Sequence, residues 1–300
     1  MYVLRVLLAV VGVLWPLCQA MSQPSSTVPI GMQAHDEGTA EEIRALAHRL
    51  RRDVGSAVLP DDPVRARGAI EHAQRVLSAA STVIDVSQLI VLVDRSPEVQ
   101  QLWIVVAHPD DRPWDVVGAV RVSTGKPGRR EHFKTPVGVF TNDGSILGYR
   151  AQGTPNENGI RGIGTKGMRV WDFGWQTTED WRTPGALMAV RLQMHATDPA
   201  MLEPRLGRWD SAGCIRIPSR LNTFLDQAGL IDAKLRQAAP RSRAIAALLP
   251  KDATPSSVAG HMIVVFDSSA PAAVPSDPVA AQNIQSGFNA FLHRNLVSSP

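Results

Sequence analysis

The stretch from residue 88 to 124 leaves this chain little choice of fold. "QLIVLVD", "QQLWIVVAH" and "WDVVGAVRVST" follow closely on one another, and "DRSPE" between the first two supplies a turn. β-branched runs bounded by turn formers pair as strands, and a sheet needs other elements to cover its faces. "TPVGVFTN" and "ALMAVRLQMHAT" extend the pattern, and a further candidate strand, "HMIVVFD", lies at 261–267. The expected class is therefore mainly β with flanking helices, an α+β arrangement with a mixed sheet. Gly, Pro and Asn between about 141 and 185 predict a long loop region.

Helical periodicity frames the sheet. Ile43, Leu46, Ala47, Leu50 and Val54 recur at spacings of three and four, as do Ile70, Ala73, Leu77 and Ala80, which gives a helical region over 39–86. The β-rich segment is assigned to 87–232, where Leu221, Phe224, Leu225 and Ala228 predict a short amphipathic helix. Residues 233–300 form an extension with the candidate strand, a Pro/Ala-rich spacer and a terminal helix bearing Ile284, Phe288, Phe291 and Leu292. That helix either packs on the core or meets a partner.

The first twenty residues have the order of a secretory signal, with Arg5, an apolar run from Val6 to Trp15, and Cys18-Gln19-Ala20 as the cleavage site. The run is shorter than the ~20 residues of a spanning helix. The expectation is export to the periplasm or medium with no stable membrane span after cleavage, an uncleaved anchor being the alternative. Residues 21–38 predict a linker. Cleavage removes one cation and no acid, so the formal charge falls from +3 to +2, too little to argue for nucleic acid.

Cleavage also leaves Cys214 as the one cysteine, which cannot form an internal disulfide. A thiol becomes a nucleophile when a base takes its proton. Of eight histidines, His195 ends a β-like run, where a strand end holds it rigidly beside a loop, 19 residues before Cys214. On composition alone a His195–Cys214 dyad and a buried structural cysteine both stand. In "SAGC", Gly213 lets the backbone approach a substrate, with main-chain N–H groups available for an oxyanion hole, and Ser211 positions the loop or donates a hydrogen bond. Arg216 holds either a substrate carboxylate or a structural ion pair.

His195, fifteen residues, then "SAGCIR" resembles the catalytic motif of the L,D-transpeptidase (YkuD-like) family, and "VSTGKPGRREHFKTPVGVF" at 122–140 resembles that family's upstream signature. The likeness covers roughly residues 87–230. It implies a β-sandwich-like catalytic domain of mixed sheets, with Cys214 as nucleophile, His195 as base and the main-chain carbonyl of Ala196 as the third element. It implies cysteine-dependent acyl transfer on peptidoglycan stem peptides, with no cofactor. Ala212 departs from the family, which places histidine before the motif glycine.

The alternatives are an L,D-carboxypeptidase that delivers water to the same thioester, and a wall-binding protein with weak turnover. His132, His195 and His261 have no recognisable metal-ligand spacing. Trp171, Trp175 and Trp181 read either as a cover or sugar-stacking platform, or as aromatics buried under the loop. "GIRGIGTKG" reads as a flexible loop rather than a phosphate cradle.

Overall fold

The computed structural model describes residues 30–109, 112–270, 273 and 275–297. The signal and most of the linker read from the sequence lie outside the described residues. From residue 30 the expected linker is instead the first turns of a helix, α1 (Ile30–Val54).

Along α1, Ile43, Leu46, Leu50 and Val54 form a buried stripe. The second helix, α2 (Pro63–Ala79), starts where the Asp62 side chain accepts the N–H of Arg65, with Pro63 in the first turn, where its missing N–H costs nothing. It buries Ala66, Ala69, Ala73 and Leu77, small residues that let a helix lie close to a sheet.

Among the described residues nine strands follow: β1 (Gln88–Asp94), β2 (Gln101–Ala107), β3 (Asp115–Arg121), β4 (Gly138–Thr141), β5 (Tyr149–Arg150), β6 (Arg169–Glu179), β7 (Leu187–Ala196), β8 (Ile215–Ile217) and β9 (Met262–Phe266). Helices α3 (Ser219–Gln227), α4 (Ala233–Ala238) and α5 (Arg243–Leu248) separate β8 from β9, and α6 (Pro278–Val297) lies against β6 and β7. The architecture is mixed α+β with two mixed sheets. One sheet has the order β3-β2-β1-β9-β4 and the other β5-β6-β7-β8.

Strand alternation divides the apolar residues between two cores. Leu89, Val91 and Val93 of β1 join a core shared with Trp171, Leu192, Met194, Ile215 and Ile217 of the second sheet. Ile90 and Leu92 face the other way, onto α2. β1 is thus buried on both faces, which is why it reads as a continuous apolar run. β9 pairs in parallel with β1 and antiparallel with β4, in the middle of the sheet. It lies beyond the boundary at 232 expected from the sequence, and from Gly38 onward the chain forms one compact unit.

The long loop expected over 141–185 is corrected by β6. Its pattern was masked by a break in register between Asp172 and Trp175, where Gly174 adopts φ +76° and its N–H is taken by the Asp172 carboxylate at 2.9 Å. A β-bulge shifts the alternation by one residue and hides the period of two. Among the described residues no helix is long and apolar enough to cross a membrane.

Candidate functional site

β7 and β8 run parallel, with Met194 opposite Ile215 and His195 opposite Arg216. Parallel neighbours need a crossover of a dozen residues or more, so the spacing from His195 to Cys214 is the length of that connection. Met194, Ala196, Ile215 and Ile217 point into the core. The alternate residues Gln193, His195 and Arg216, together with Cys214 just before β8, therefore share the opposite face.

His195 is 4% exposed, and its Nδ1 donates to the carbonyl oxygen of Ala196 at 2.5 Å. A carbonyl only accepts, so this bond places the proton on Nδ1 and leaves Nε2 with a lone pair. Burial lowers the imidazole pKa from 6.5 to about 4; the Ala196 carbonyl opposes this and the nearby Arg216 charge adds to it. Burial likewise pushes the Cys214 thiol from 9.0 up to about 11, against the Gln193 main-chain N–H and Arg216, which lower it, and with Asp172, which raises it. Near neutral pH both partners are uncharged. Among the described residues no hydrogen bond joins Sγ to the imidazole.

The loop carrying Cys214 is set by Ser211, which is fully buried. Its Oγ donates to the Cys214 carbonyl at 2.6 Å and accepts the Gly213 N–H at 3.1 Å. This corrects one expectation: the Gly213 N–H is already engaged and is not a free oxyanion donor. The need for glycine there is conformational, since Gly213 has φ +142° and an added Cβ would lie 3.2 Å from Val190 Cγ2. Ala212 is exposed, so the missing histidine leaves no hole in the packing.

The two sequence signatures meet in space. Ser123 bridges Arg216 through both main-chain hydrogen bonds, Lys126 N–H donates to Ser211 O at 2.9 Å, and Phe133 N–H donates to Ala212 O at 3.1 Å. Thr135 Oγ1 accepts the Gly125 N–H at 2.9 Å and donates to Gly213 O at 2.8 Å. Arg95, itself buried, donates to Thr135 O at 2.6 Å and is held by Glu179 and Asp267. Burial pushes the Glu179 carboxyl up, but the hydrogen bond and charge of Arg95, together with a main-chain N–H and the Thr178 hydroxyl, hold it down at about 2.

Arg216 is only 18% exposed, and its Nη1 donates to Asp210 O at 3.2 Å beside the Asp210 carboxylate, so the structural ion pair is present. The tryptophans separate: Trp171 is fully buried, whereas Trp181 is 39% exposed and donates from Nε1 to His132 O at 3.0 Å. The glycine-rich turn packs on the end of β7, where a Cβ on Gly164 would come within 2.9 Å of the Ala196 side chain.

Sequence reasoning missed Asp172, Arg191 and Gln193, and it marked Gly125 and Thr135 only as part of the upstream signature. Arg191, Gln193 and His195 alternate along β7, a signal that was legible; the role of Asp172 depends on pairing across the bulge and was not. Among the described residues no cluster of three or more His, Cys, Asp or Glu side chains is arranged to hold a metal.

No family model and no curated protein matches this chain. Among solved structures it is similar to one from Bdellovibrio bacteriovorus, "Structure of Bdellovibrio bacteriovorus Bd1075", at 12% identity and a TM-score of 0.29. The match covers 69% of this chain and 56% of that one, so the chain spans little more than half that protein's length. A likeness at that level carries no argument about the fold or the chemistry.

Proposed function

We propose that the chain is a cysteine acyltransferase of L,D-transpeptidase type, exported to act on peptidoglycan stem peptides. The reading is supported above all by one observation: the Nδ1–H of His195 is committed to Ala196 O, which leaves Nε2 as a base on the strand face shared with Cys214.

Because thiol and imidazole are both neutral at rest, the proton moves to Nε2 as sulfur attacks the donor carbonyl, rather than residing in a standing ion pair. The tetrahedral intermediate collapses to a Cys214 thioester, and the leaving amine of the terminal residue departs with the proton held by His195. A second amine then attacks the thioester, loses its proton to His195, and frees the thiol. Water in place of the amine gives a trimmed stem by the same steps.

The test is intact-protein mass spectrometry after incubation with a carbapenem, on wild type, Cys214→Ala and His195→Ala. An adduct on wild type, absent in Cys214→Ala and slowed in His195→Ala, is the expected result. A folded wild type that gains no mass with the carbapenem, and releases no terminal residue from a tetrapeptide stem, rules the reading out.

A further inference from the structure

The strand face beside Cys214 carries a second polar group that the acyl-transfer steps do not use. Asp172, with its side chain 2% exposed, accepts from Arg191 Nε at 2.9 Å and from Gln193 Nε2 at 2.8 Å, while its other oxygen takes the Gly174 N–H. The carboxylate is thereby satisfied, and Arg191 gives it only the Nε edge. Among the described residues neither Nη of Arg191 has a hydrogen-bond partner, and the side chain is 47% exposed.

Register places this cation on the strand face that Cys214 shares. Arg191, Gln193 and His195 alternate along β7, His195 lies opposite Arg216 of β8, and Trp175 stands opposite Arg191 on β6. Arg216 is a poorer candidate for a ligand, being more buried and already held by Asp210. A fixed guanidinium with two free Nη groups matches a carboxylate in geometry and charge. Its Asp172 anchor reduces the entropy lost when a ligand binds.

We propose that Arg191, steadied by Asp172 and flanked by Gln193, is the carboxylate-recognition site for the acyl donor attacked by Cys214. The inference rests on the acyl-transfer reading for the identity of its ligand, though its test does not require turnover.

The experiment compares alkylation of Cys214 in the full chain by iodoacetate and by its neutral twin iodoacetamide, at fixed pH and ionic strength. A change in thiol acidity moves both rates together, so their ratio isolates recognition of the negative charge. Arg191→Gln is expected to lower the iodoacetate/iodoacetamide ratio about tenfold, the scale of one charge-assisted hydrogen bond at a half-exposed site. Arg191→Lys is expected to retain most of the ratio, and Arg216→Gln to change it less than Arg191→Gln does.

On wild type, N-acetyl-D-alanine is expected to protect Cys214 from iodoacetamide better than its amide does, which needs no variant to fold. An unchanged ratio in Arg191→Gln, or one lost only in Arg216→Gln, overturns the proposal. So does equal protection by acid and amide. If the ratio shifts while carbapenem and stem peptide both leave Cys214 unacylated, the acyl-transfer reading fails and the carboxylate site stands.

Discussion

The hydroxyl of Thr135 donates to the carbonyl of Gly213 at 2.8 Å while accepting the N–H of Gly125 at 2.9 Å. One side chain thus clamps the backbone at Gly125 to the backbone at Gly213, 88 residues further along the chain, and Cys214 follows directly after the second. Thr135→Val keeps the shape and leaves a buried N–H and a buried carbonyl unpaired, at a cost of about 1–3 kcal/mol. Thr135→Ser is expected to recover most of it. Denaturant midpoints measure the stability change, and the Cys214 alkylation rate should fall in the valine variant and recover in the serine one.

Gly125 has less room still. A Cβ there would lie 2.0 Å from Phe133 O and 2.7 Å from Gly213 Cα, both backbone atoms that cannot swing aside. Gly125→Ala is expected to destabilise by about 3 kcal/mol or more through forced backbone displacement. Gly128→Ala, three residues further along in open space but at φ +103°, should cost only about 1 kcal/mol. Equal thermal shifts for the two variants would contradict this account.

His195, which is buried, and Cys214, which is half-buried, shape stability against pH from opposite sides. His195 titrates near 4 when folded against 6.5 unfolded, so the unfolded chain binds more protons between these values. Stability is then full above about 6.5 and lost as pH falls toward 4. Cys214 titrates near 11 folded against 9.0 unfolded, so its contribution is full below about 9 and lost as pH rises through 11. Urea midpoints measured from pH 4 to 11 should give a plateau between roughly 6.5 and 9. His195→Gln should flatten the acid limb and Cys214→Ala the alkaline one.

The same shifts govern reactivity. With no substrate present, alkylation of Cys214 by iodoacetamide should be slow at pH 7 and keep rising to about pH 11. A plateau below pH 7 would instead reveal a thiolate–imidazolium pair.

Trp171 and Trp181 should behave oppositely. Trp171 is fully buried in the core between the sheets, and its Nε1 donates to the Asp232 carboxylate at 3.2 Å, so Trp171→Ala should cost about 3–5 kcal/mol. Trp181→Ala, at an exposed position whose one hydrogen bond holds the His132 loop, should stay within about 1 kcal/mol and instead loosen that loop. Thermal melts separate the first effect, and limited proteolysis near His132 the second.

What the sequence determined by itself was local. Apolar alternation set the strands at 88–124 and the strand that ends in His195, a period of three to four set the buried stripe of α1 and half of that of α2, where Ala73 and Leu77 are buried but Ala80 is exposed beyond the helix end, and residue chemistry singled out Cys214, His195 and Ser211. These follow from nearest-neighbour backbone geometry and side-chain type, which a linear pattern carries. Only the tertiary structure decided the rest. β9 enters the middle of a sheet from beyond residue 232, the bulge at Gly174 conceals β6, and Thr135 reaches Gly213 across a gap no periodicity marks. Likewise the Gly213 N–H is engaged by Ser211, and among the described residues Arg191 keeps both Nη groups without a hydrogen-bond partner while Arg216 gives Nη1 to Asp210, because hydrogen-bond partners are allotted by which segments the shared core forces together.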